Sequence, residues 1–177
     1  MNFERFEKNL IDNIKEAQLK LGYDNRPMSL NYMTASLKNL TGEDITDDLL
    51  SAFSEYVSPR LGTLTFRPIK DGICITISAE GTSYVNSLTG YDFLAELIKK
   101  VSSHTSLEEV TAVFRRYSDN VVIEESTTEE FDLLAYFPDK SPDEYYYCLT
   151  AEPCISGGCH AMYHRFIRED YEEMFSN

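Results

Sequence analysis

The sequence has no tryptophan, only four cysteines and far fewer basic than acidic residues. Of its 177 residues, 16 are Lys or Arg and 30 are Asp or Glu, so the formal net charge is −14. A general attraction to nucleic-acid phosphates or anionic lipids needs concentrated Lys and Arg, and the composition therefore disfavours both classes of partner. A basic protein partner suits this charge better.

Long hydrophobic runs are also missing. No stretch approaches the roughly 20 apolar residues that a membrane-spanning helix needs. The first eight residues include four charged ones and no apolar signal core. We therefore expect a soluble, cytoplasmic protein. In such a compartment the four cysteines are expected to be free thiols rather than a disulfide framework.

Helical periodicity dominates the first part of the chain. Apolar residues at spacings of three and four predict helices over residues 3–21, 30–40 and 47–57. Thr46 is the expected N-cap of the third helix, and Pro59 and Gly62 are expected to end it. We therefore predict three consecutive helices before the first strand.

A β-hairpin is predicted next. Residues 63–69 and 73–78 are rich in β-branched and aromatic side chains, and the Asp71-Gly72 pair between them favours a tight turn. Three helices followed by a hairpin is the order of a winged helix. The apolar residues from Tyr84 to Val101 then predict one long helix or two short ones, with Gly90 as the candidate break.

The periodicity changes after His104. Ser106 and Glu109 form a capping-box pattern at the start of a further helix. Beyond it, period-two alternation predicts an antiparallel sheet of four strands, over residues 121–125, 131–137, 145–151 and 161–167. A short helix over residues 169–175 is expected to follow. The predicted class is α+β, with a winged-helix-like subdomain over residues 1–104 and an antiparallel-sheet subdomain with flanking helices over residues 105–177.

The two predicted subdomains differ in charge. Residues 1–104 hold 11 Lys or Arg and 14 Asp or Glu, whereas residues 105–177 hold 5 and 16. The net charges are −3 and −11, so the acidity belongs mainly to the second subdomain.

DNA binding is one function that the winged-helix-like order raises. The third helix would enter the major groove, yet it carries Asp47, Asp48 and Glu55 and no Lys or Arg. Its acids would repel phosphates, which disfavours a DNA-binding regulator. The compensating positive charges lie on the following loop and hairpin, at Arg60, Arg67 and Lys70.

A dense group of sulfur and imidazole side chains lies near the end of the chain, at Cys148, Cys154, Cys159, His160 and His164. The spacings within it fit a structural zinc site, but no loop separates the cysteines from the histidines. On a strand, His160 and His164 would be about 13 Å apart, too far for one ion. Strand alternation favours buried cysteines and half-exposed histidines instead.

An enzymatic alternative pairs one cysteine with His160 or His164 as nucleophile and base. If the last two strands form a hairpin through residues 154–159, Cys148 should lie near Arg165. A Cys154–Cys159 disulfide is a further alternative, which a reducing cytosol disfavours. We take as the candidate functional cluster Cys148, Cys159, His160, Tyr163, His164 and Arg165, with no catalytic residue or cofactor assigned and metal binding left open.

Known catalytic motifs are missing as well. The sequence contains no P-loop, dinucleotide fingerprint, nucleophile elbow or His-Glu-x-x-His helix. This favours a non-enzymatic interaction or regulatory module. The two alternatives are a metal-binding or Cys/His-dependent enzyme at the C-terminal sheet, and a winged-helix DNA-binding regulator.

Several segments resemble an uncharacterised bacterial family, domain of unknown function 3877. They are Asn9-Leu10-Ile11-Asp12 through Lys20-Leu21-Gly22-Tyr23, Phe114-Arg115-Arg116-Tyr117-Ser118, and Tyr163-His164-Arg165-Phe166 through Glu169-Asp170-Tyr171-Glu172. The resemblance spans nearly the whole chain and implies no established activity, cofactor or catalytic residue. Its most distinctive segment is residues 163–166, where a site is best sought.

Overall fold

A computed structural model describes residues 2–176 of the protein. Within these residues, helices and two antiparallel sheets confirm the α+β class. The elements are α1 (Phe3–Leu21), β1 (Met28–Met33), α2 (Thr34–Thr41), α3 (Asp47–Leu61), β2 (Thr65–Ile69), β3 (Gly72–Ile77), α4 (Ala79–Ser87), α5 (Asp92–Ser102), α6 (Leu107–Tyr117), β4 (Val122–Glu125), β5 (Leu133–Tyr136), β6 (Tyr146–Pro153), β7 (Cys159–Phe166) and α7 (Arg168–Phe175). In the described part of the chain, no helix is long and apolar enough to cross a membrane.

Contacts within the chain divide it into two compact units, one ending at Gly90 and the other starting at Tyr91. The sequence instead suggests a change of organisation near His104. Helix α5 accounts for the difference, because it packs against α6 in the second unit. Gly90, at a φ of 91°, separates α4 from α5. The apolar stretch for which the sequence allowed one long helix or two short ones therefore forms two.

The first unit contains a three-stranded sheet in the order β1-β3-β2. The central strand β3 is the most buried of the three, with Ile75 and Ile77 fully enclosed. Gly72 begins it where the backbone of β1 passes very close, since a Cβ there would lie 2.1 Å from the Tyr32 carbonyl oxygen. No other residue type fits that approach.

The predicted second helix is wrong over its first part. Residues 28–33 form strand β1, and only Thr34–Thr41 are helical. The apolar spacing of Leu30 and Met33 fits a helix, but pairing with β3 places Leu30 opposite Ile75. A tertiary contact therefore overrides the local periodicity, as is common for short apolar segments.

Helix α3 also runs further than predicted, because it continues through Pro59 to Leu61 and ends at Gly62. Proline lacks the N–H that would bond the carbonyl of Glu55 four residues earlier. The hydroxyl of Ser58 donates to that carbonyl instead, at 2.9 Å. This replacement explains how the helix tolerates the proline. Thr46 caps the helix as predicted, accepting from the Leu49 N–H at 3.1 Å.

Long polar side chains of α1 tie the first unit together. The ammonium of Lys15 donates to the carbonyls of Asn86 and Leu88, at 3.1 and 3.0 Å, at the end of α4. The amide of Gln18 donates to the Thr82 carbonyl at 2.8 Å. The Lys15 bonds satisfy carbonyls that the end of α4 leaves unpaired, and the Gln18 bond ties α1 to the body of the same helix. Burial lowers the pKa of Lys15.

The second unit contains the predicted four-stranded antiparallel sheet, in the order β4-β5-β6-β7. One face packs against α5 and α6 through aromatic rings. The ring centroid of Phe93 lies 5.1 Å from those of Phe114 and Phe137, and Tyr147 lies 5.2 Å from Phe114. The other face packs against α7, where Leu134, Cys148 and Tyr171 are buried together.

Candidate functional site

The candidate residues lie on the hairpin formed by β6 and β7. Cys148 is paired with His164 and Tyr147 with Arg165, one residue away from the predicted register. The loop is shorter than expected, because the N–H of Cys154 donates to the Gly158 carbonyl at 3.0 Å. Gly157 and Gly158 have φ values of 91° and 75°, which permit this tight turn.

The corrected register decides which side chains share a face. Alternation along β7 places His160 and His164 on the side of Cys148, and Cys159, Tyr163 and Arg165 on the opposite side. The six candidates are therefore distributed over both faces of the hairpin instead of converging in one site. Because β7 is a strand, the separation of about 13 Å expected for His160 and His164 also applies.

Cys148 is a core residue. It is 1% exposed and lies in the cluster with Leu134 and Tyr171. Burial raises the pKa of its thiol to about 12, so the thiol remains protonated at neutral pH. This protonation disfavours Cys148 as the nucleophile of the enzymatic alternative.

His164 is exposed and packs among aromatic side chains rather than beside a sulfur atom. Its ring centroid is 5.5 Å from that of Phe131 and 6.5 Å from that of Phe166. On the other face, Tyr163 lies 5.8 Å from Tyr147. His164 and Tyr163 therefore contribute to the packing of the two faces of the sheet.

Arg165 lies on the face that α5 and α6 cover. Its guanidinium is 4.3 Å from the ring centroid of Tyr145, a cation–π contact. The distinctive segment over residues 163–166 is thus explained by packing on both faces of β7.

The structure joins one cysteine and one histidine directly. Cys154 Sγ is 2.9 Å from His160 Nδ1, within hydrogen-bond distance, and both residues are half-buried. The sequence places Cys154 in the dense Cys/His group, but our candidate cluster omits it. Only the hairpin turn brings Cys154 back towards the first residues of β7.

A third residue near this pair comes from a different element. The ring of His104 packs edge-on against that of His160, with centroids 5.1 Å apart. His104 follows α5 at a φ of 53°, and the Thr105 carbonyl accepts from the Ala161 N–H at 2.8 Å. This bond holds the loop against the edge of β7. No local pattern predicts it, because the two segments are far apart in sequence.

The chemistry available at this end of the hairpin is that of a thiol beside an imidazole. All four cysteines are free thiols. Across residues 2–176, no three His, Cys, Asp or Glu side chains are grouped so that they could hold a metal ion. The Cys154–His160 pair can instead pass a proton from sulfur to nitrogen, which would give a nucleophilic thiolate.

A second feature of this unit is an acidic edge, defined here as Glu124, Glu125, Glu129 and Glu130. The first two end β4, an outer strand of the sheet, and the other two lie in the loop that follows. All four side chains are exposed, and within the described residues none takes part in an ion pair. The acidic edge therefore presents uncompensated negative charge beside an open strand.

Helix α3 of the first unit presents acids as well. Asp47, Asp48 and Glu55 are exposed on it. Arg60, expected on the following loop, instead lies in the last turn of α3, where it pairs with Glu7. An open groove of about 690 Å³ at the start of α3 is lined by one basic residue, Lys38, together with acids that include Asp44 and Asp48. Lys38 is itself paired with Asp44 at 2.7 Å. This surface would repel a phosphate backbone.

The profile of one protein family matches residues 3–175 of the chain. Its description reads "Domain of unknown function, E. rectale Gene description". No curated protein and no solved structure matches significantly. The chain belongs to the domain of unknown function 3877 family, which confirms the resemblance seen in the sequence.

Proposed function

We propose that this member of the domain of unknown function 3877 family is a non-enzymatic interaction module of the bacterial cytoplasm, and that it binds a basic, extended protein segment. The observation that carries the proposal is the acidic edge. Its four carboxylates are exposed and, within the described residues, none takes part in an ion pair. Two of them end β4, which pairs with one neighbouring strand in this part of the chain, and two lie in the loop that follows.

The open side of β4 supplies the first part of the recognition. In residues 2–176, β4 pairs with β5 alone. An outer strand presents unpaired backbone N–H and C=O groups, to which an extended segment can add as a further strand. These bonds would hold the backbone of the partner whatever its sequence.

The carboxylates supply the second part. Lys or Arg side chains on the added segment would meet Glu124 or Glu125, and a longer segment would reach Glu129 and Glu130 in the loop. Complementary charge at an exposed edge raises the association rate and selects against acidic segments. The partner would therefore need both an extended backbone and positive charge, and positive charge alone would not suffice.

The first unit fits an interaction role more closely than DNA binding. The order α1-β1-α2-α3-β2-β3 and the strand order β1-β3-β2 support a winged-helix-like assignment. The exposed acids of α3 argue against phosphates as its ligand. We assign this unit a scaffold or protein-contact role.

A pair of defined peptides tests the proposal. One alternates Lys with Thr, and the other alternates Gln with Thr as a neutral control. We expect binding of the Lys peptide at low salt, weaker binding at high salt, and slower hydrogen exchange at residues 122–125 in the complex. Binding without protection of β4 would contradict strand addition.

Matched variants test the location. Glu124→Gln/Glu125→Gln should weaken binding about tenfold, whereas Asp92→Asn/Glu108→Gln, with the same net charge, should change it less than about twofold. Equal losses in the two variants, or no binding of the Lys peptide to the wild-type protein, would overturn the proposal.

A further inference from the structure

We propose that Cys154 is a reactive thiol that adds to small α,β-unsaturated carbonyl compounds, with His160 accepting and returning the proton. The geometry behind this proposal is the 2.9 Å contact between Cys154 Sγ and His160 Nδ1 at the end of the β6–β7 hairpin. The proposal is independent of the acidic edge.

The four cysteines have different surroundings, and within residues 2–176 Cys154 is the one with such a contact to a histidine. Cys74 and Cys148 are buried, at 4% and 1% exposure. Cys159 is exposed, but strand alternation turns it to the face opposite His160. Cys154 combines partial exposure with a neighbouring imidazole that can accept its proton during a reaction.

Addition is the reaction that these two side chains can complete alone. His160 takes the thiol proton, and the sulfur forms a bond to the β-carbon of the unsaturated compound. The π electrons of the carbon–carbon double bond move to the α-carbon, which then takes the proton back from the imidazolium. No group leaves, and no oxidant, reductant or metal is required.

Disulfide formation fits the hairpin less well. Cys159 pairs with Pro153, and alternation along β7 places it on the face opposite His160, whereas the sulfur of Cys154 lies beside His160. Cys159, the cysteine nearest to Cys154 in the sequence, therefore does not place a second thiol beside it. The geometry favours a stable single-site adduct over a redox cycle between Cys154 and Cys159.

His104 is assigned a positioning role. Its ring packs edge-on against His160, and the Thr105–Ala161 hydrogen bond holds its loop at the strand edge. This packing limits the rotation of the His160 ring. Glu152 is paired with His160 across the hairpin and is the nearest acid in the strand register.

The test is site-resolved alkylation of the full chain by acrylamide, followed by peptide mass spectrometry. At neutral pH we expect Cys154 to react about tenfold faster than Cys159, although Cys159 is the more exposed thiol. His160→Gln should remove this excess, while His164→Gln, a matched change on the same strand and face, should leave it.

Folding is checked in the same experiment, because buried Cys148 reacts only when the sheet opens. Each variant in which Cys148 stays unreactive is folded at this site. Equal rates for Cys154 and Cys159 in the wild-type protein would overturn the proposal. So would an unchanged Cys154 rate in a His160→Gln variant whose Cys148 remains protected. His104→Gln should lower the Cys154 rate less than His160→Gln does.

Discussion

Both units pack aromatic rings, as the stacked Phe6 and Phe53 of the first unit show, but they differ in how their helices are tied to other elements. In the first unit, charged and amide side chains of α1 reach carbonyls and a guanidinium on other elements, as Lys15, Gln18 and Glu7 do. In the second unit, aromatic rings fill the space between the sheet and α5 and α6, with Tyr147 fully buried.

The difference affects how each unit should respond to change. Aromatic packing depends on volume, so removing one ring leaves a cavity. Polar contacts depend on partners, so removing one side chain leaves a buried polar group unsatisfied. The charge differs as well, since residues from Tyr91 onward hold 7 Lys or Arg and 18 Asp or Glu, against 9 and 12 before it.

Loss of the central ring should have the largest effect. We expect Tyr147→Ala to destabilise the protein by about 3–5 kcal/mol, because the side chain is fully buried and its neighbours can collapse only partly. Denaturant unfolding measures the loss, and hydrogen exchange should locate it within residues 91–176. Met174→Ala, at a site that is 60% exposed, should cost less than about 0.5 kcal/mol. Similar losses for the two variants would refute the aromatic core as the main source of stability.

The ion pair between Arg60 and Glu7 should come next. The guanidinium bonds both carboxylate oxygens of Glu7, whose side chain is only 11% exposed. Arg60→Met should cost about 2–3 kcal/mol, because it leaves this carboxylate buried without its partner. Urea unfolding provides the measurement.

The double variant Arg60→Met/Glu7→Gln sharpens the result for this ion pair. It should recover part of the loss, since the remaining group is no longer charged. Arg67→Met, at an exposed site, provides the control. No recovery in the double variant would mean that the side-chain packing of Arg60, not the charge pair, stabilises the first unit.

The hydroxyl of Tyr147 should contribute less and should depend on pH. It donates to Asp143 Oδ2 at 2.6 Å, and Tyr147→Phe should cost about 1 kcal/mol at neutral pH. Burial first, and then the charge of Asp143, raise the pKa of Tyr147 well above 10 in the folded protein. Folding therefore retains a proton that the unfolded chain loses, and this stability disappears as the pH rises above 10.

Stability curves for the wild-type protein and Tyr147→Phe from pH 7 to 11 test this linkage. The wild-type protein should lose its advantage over the variant as the pH rises past 10. If the stability difference between the two proteins stays constant over this range, folding does not raise the pKa of Tyr147.

The helix cap at Thr46 should have a comparable or smaller effect, confined to the first unit. Its hydroxyl accepts from the Leu49 N–H at 3.1 Å. Thr46→Ala should lower stability by about 1 kcal/mol, and Thr46→Ser should retain most of it. Thermal unfolding measures both. If the Thr46→Ala and Thr46→Ser variants are equally stable, the hydrogen bond of the cap hydroxyl does not stabilise the helix.

Local patterns predicted the elements whose signals lie within a few residues. Thr46 and Ser106 cap their helices as the sequence indicates. Gly90 lies between two helices, at the position where the sequence suggests a break. The four strands of the second unit follow from period-two alternation. The prediction of a helix at Leu30 was wrong because the deciding contact, with Ile75, lies far along the chain.

The candidate site shows the same limit. Composition identified the Cys/His segment, and strand alternation explained why His160 and His164 could not share one ion. The pairing of Cys154 with His160 required the exact length of the hairpin loop, which a shift of one residue would change.

The sequence by itself determined the α+β class, the family resemblance, the acidity and the segment in which to look for chemistry, because each depends on composition or on short-range periodicity. Tertiary structure decided which thiol has an imidazole beside it, which thiol is buried with a pKa of about 12, and where His104 lies. These depend on register and long-range packing, which place residues from separate segments within a few ångströms of one another.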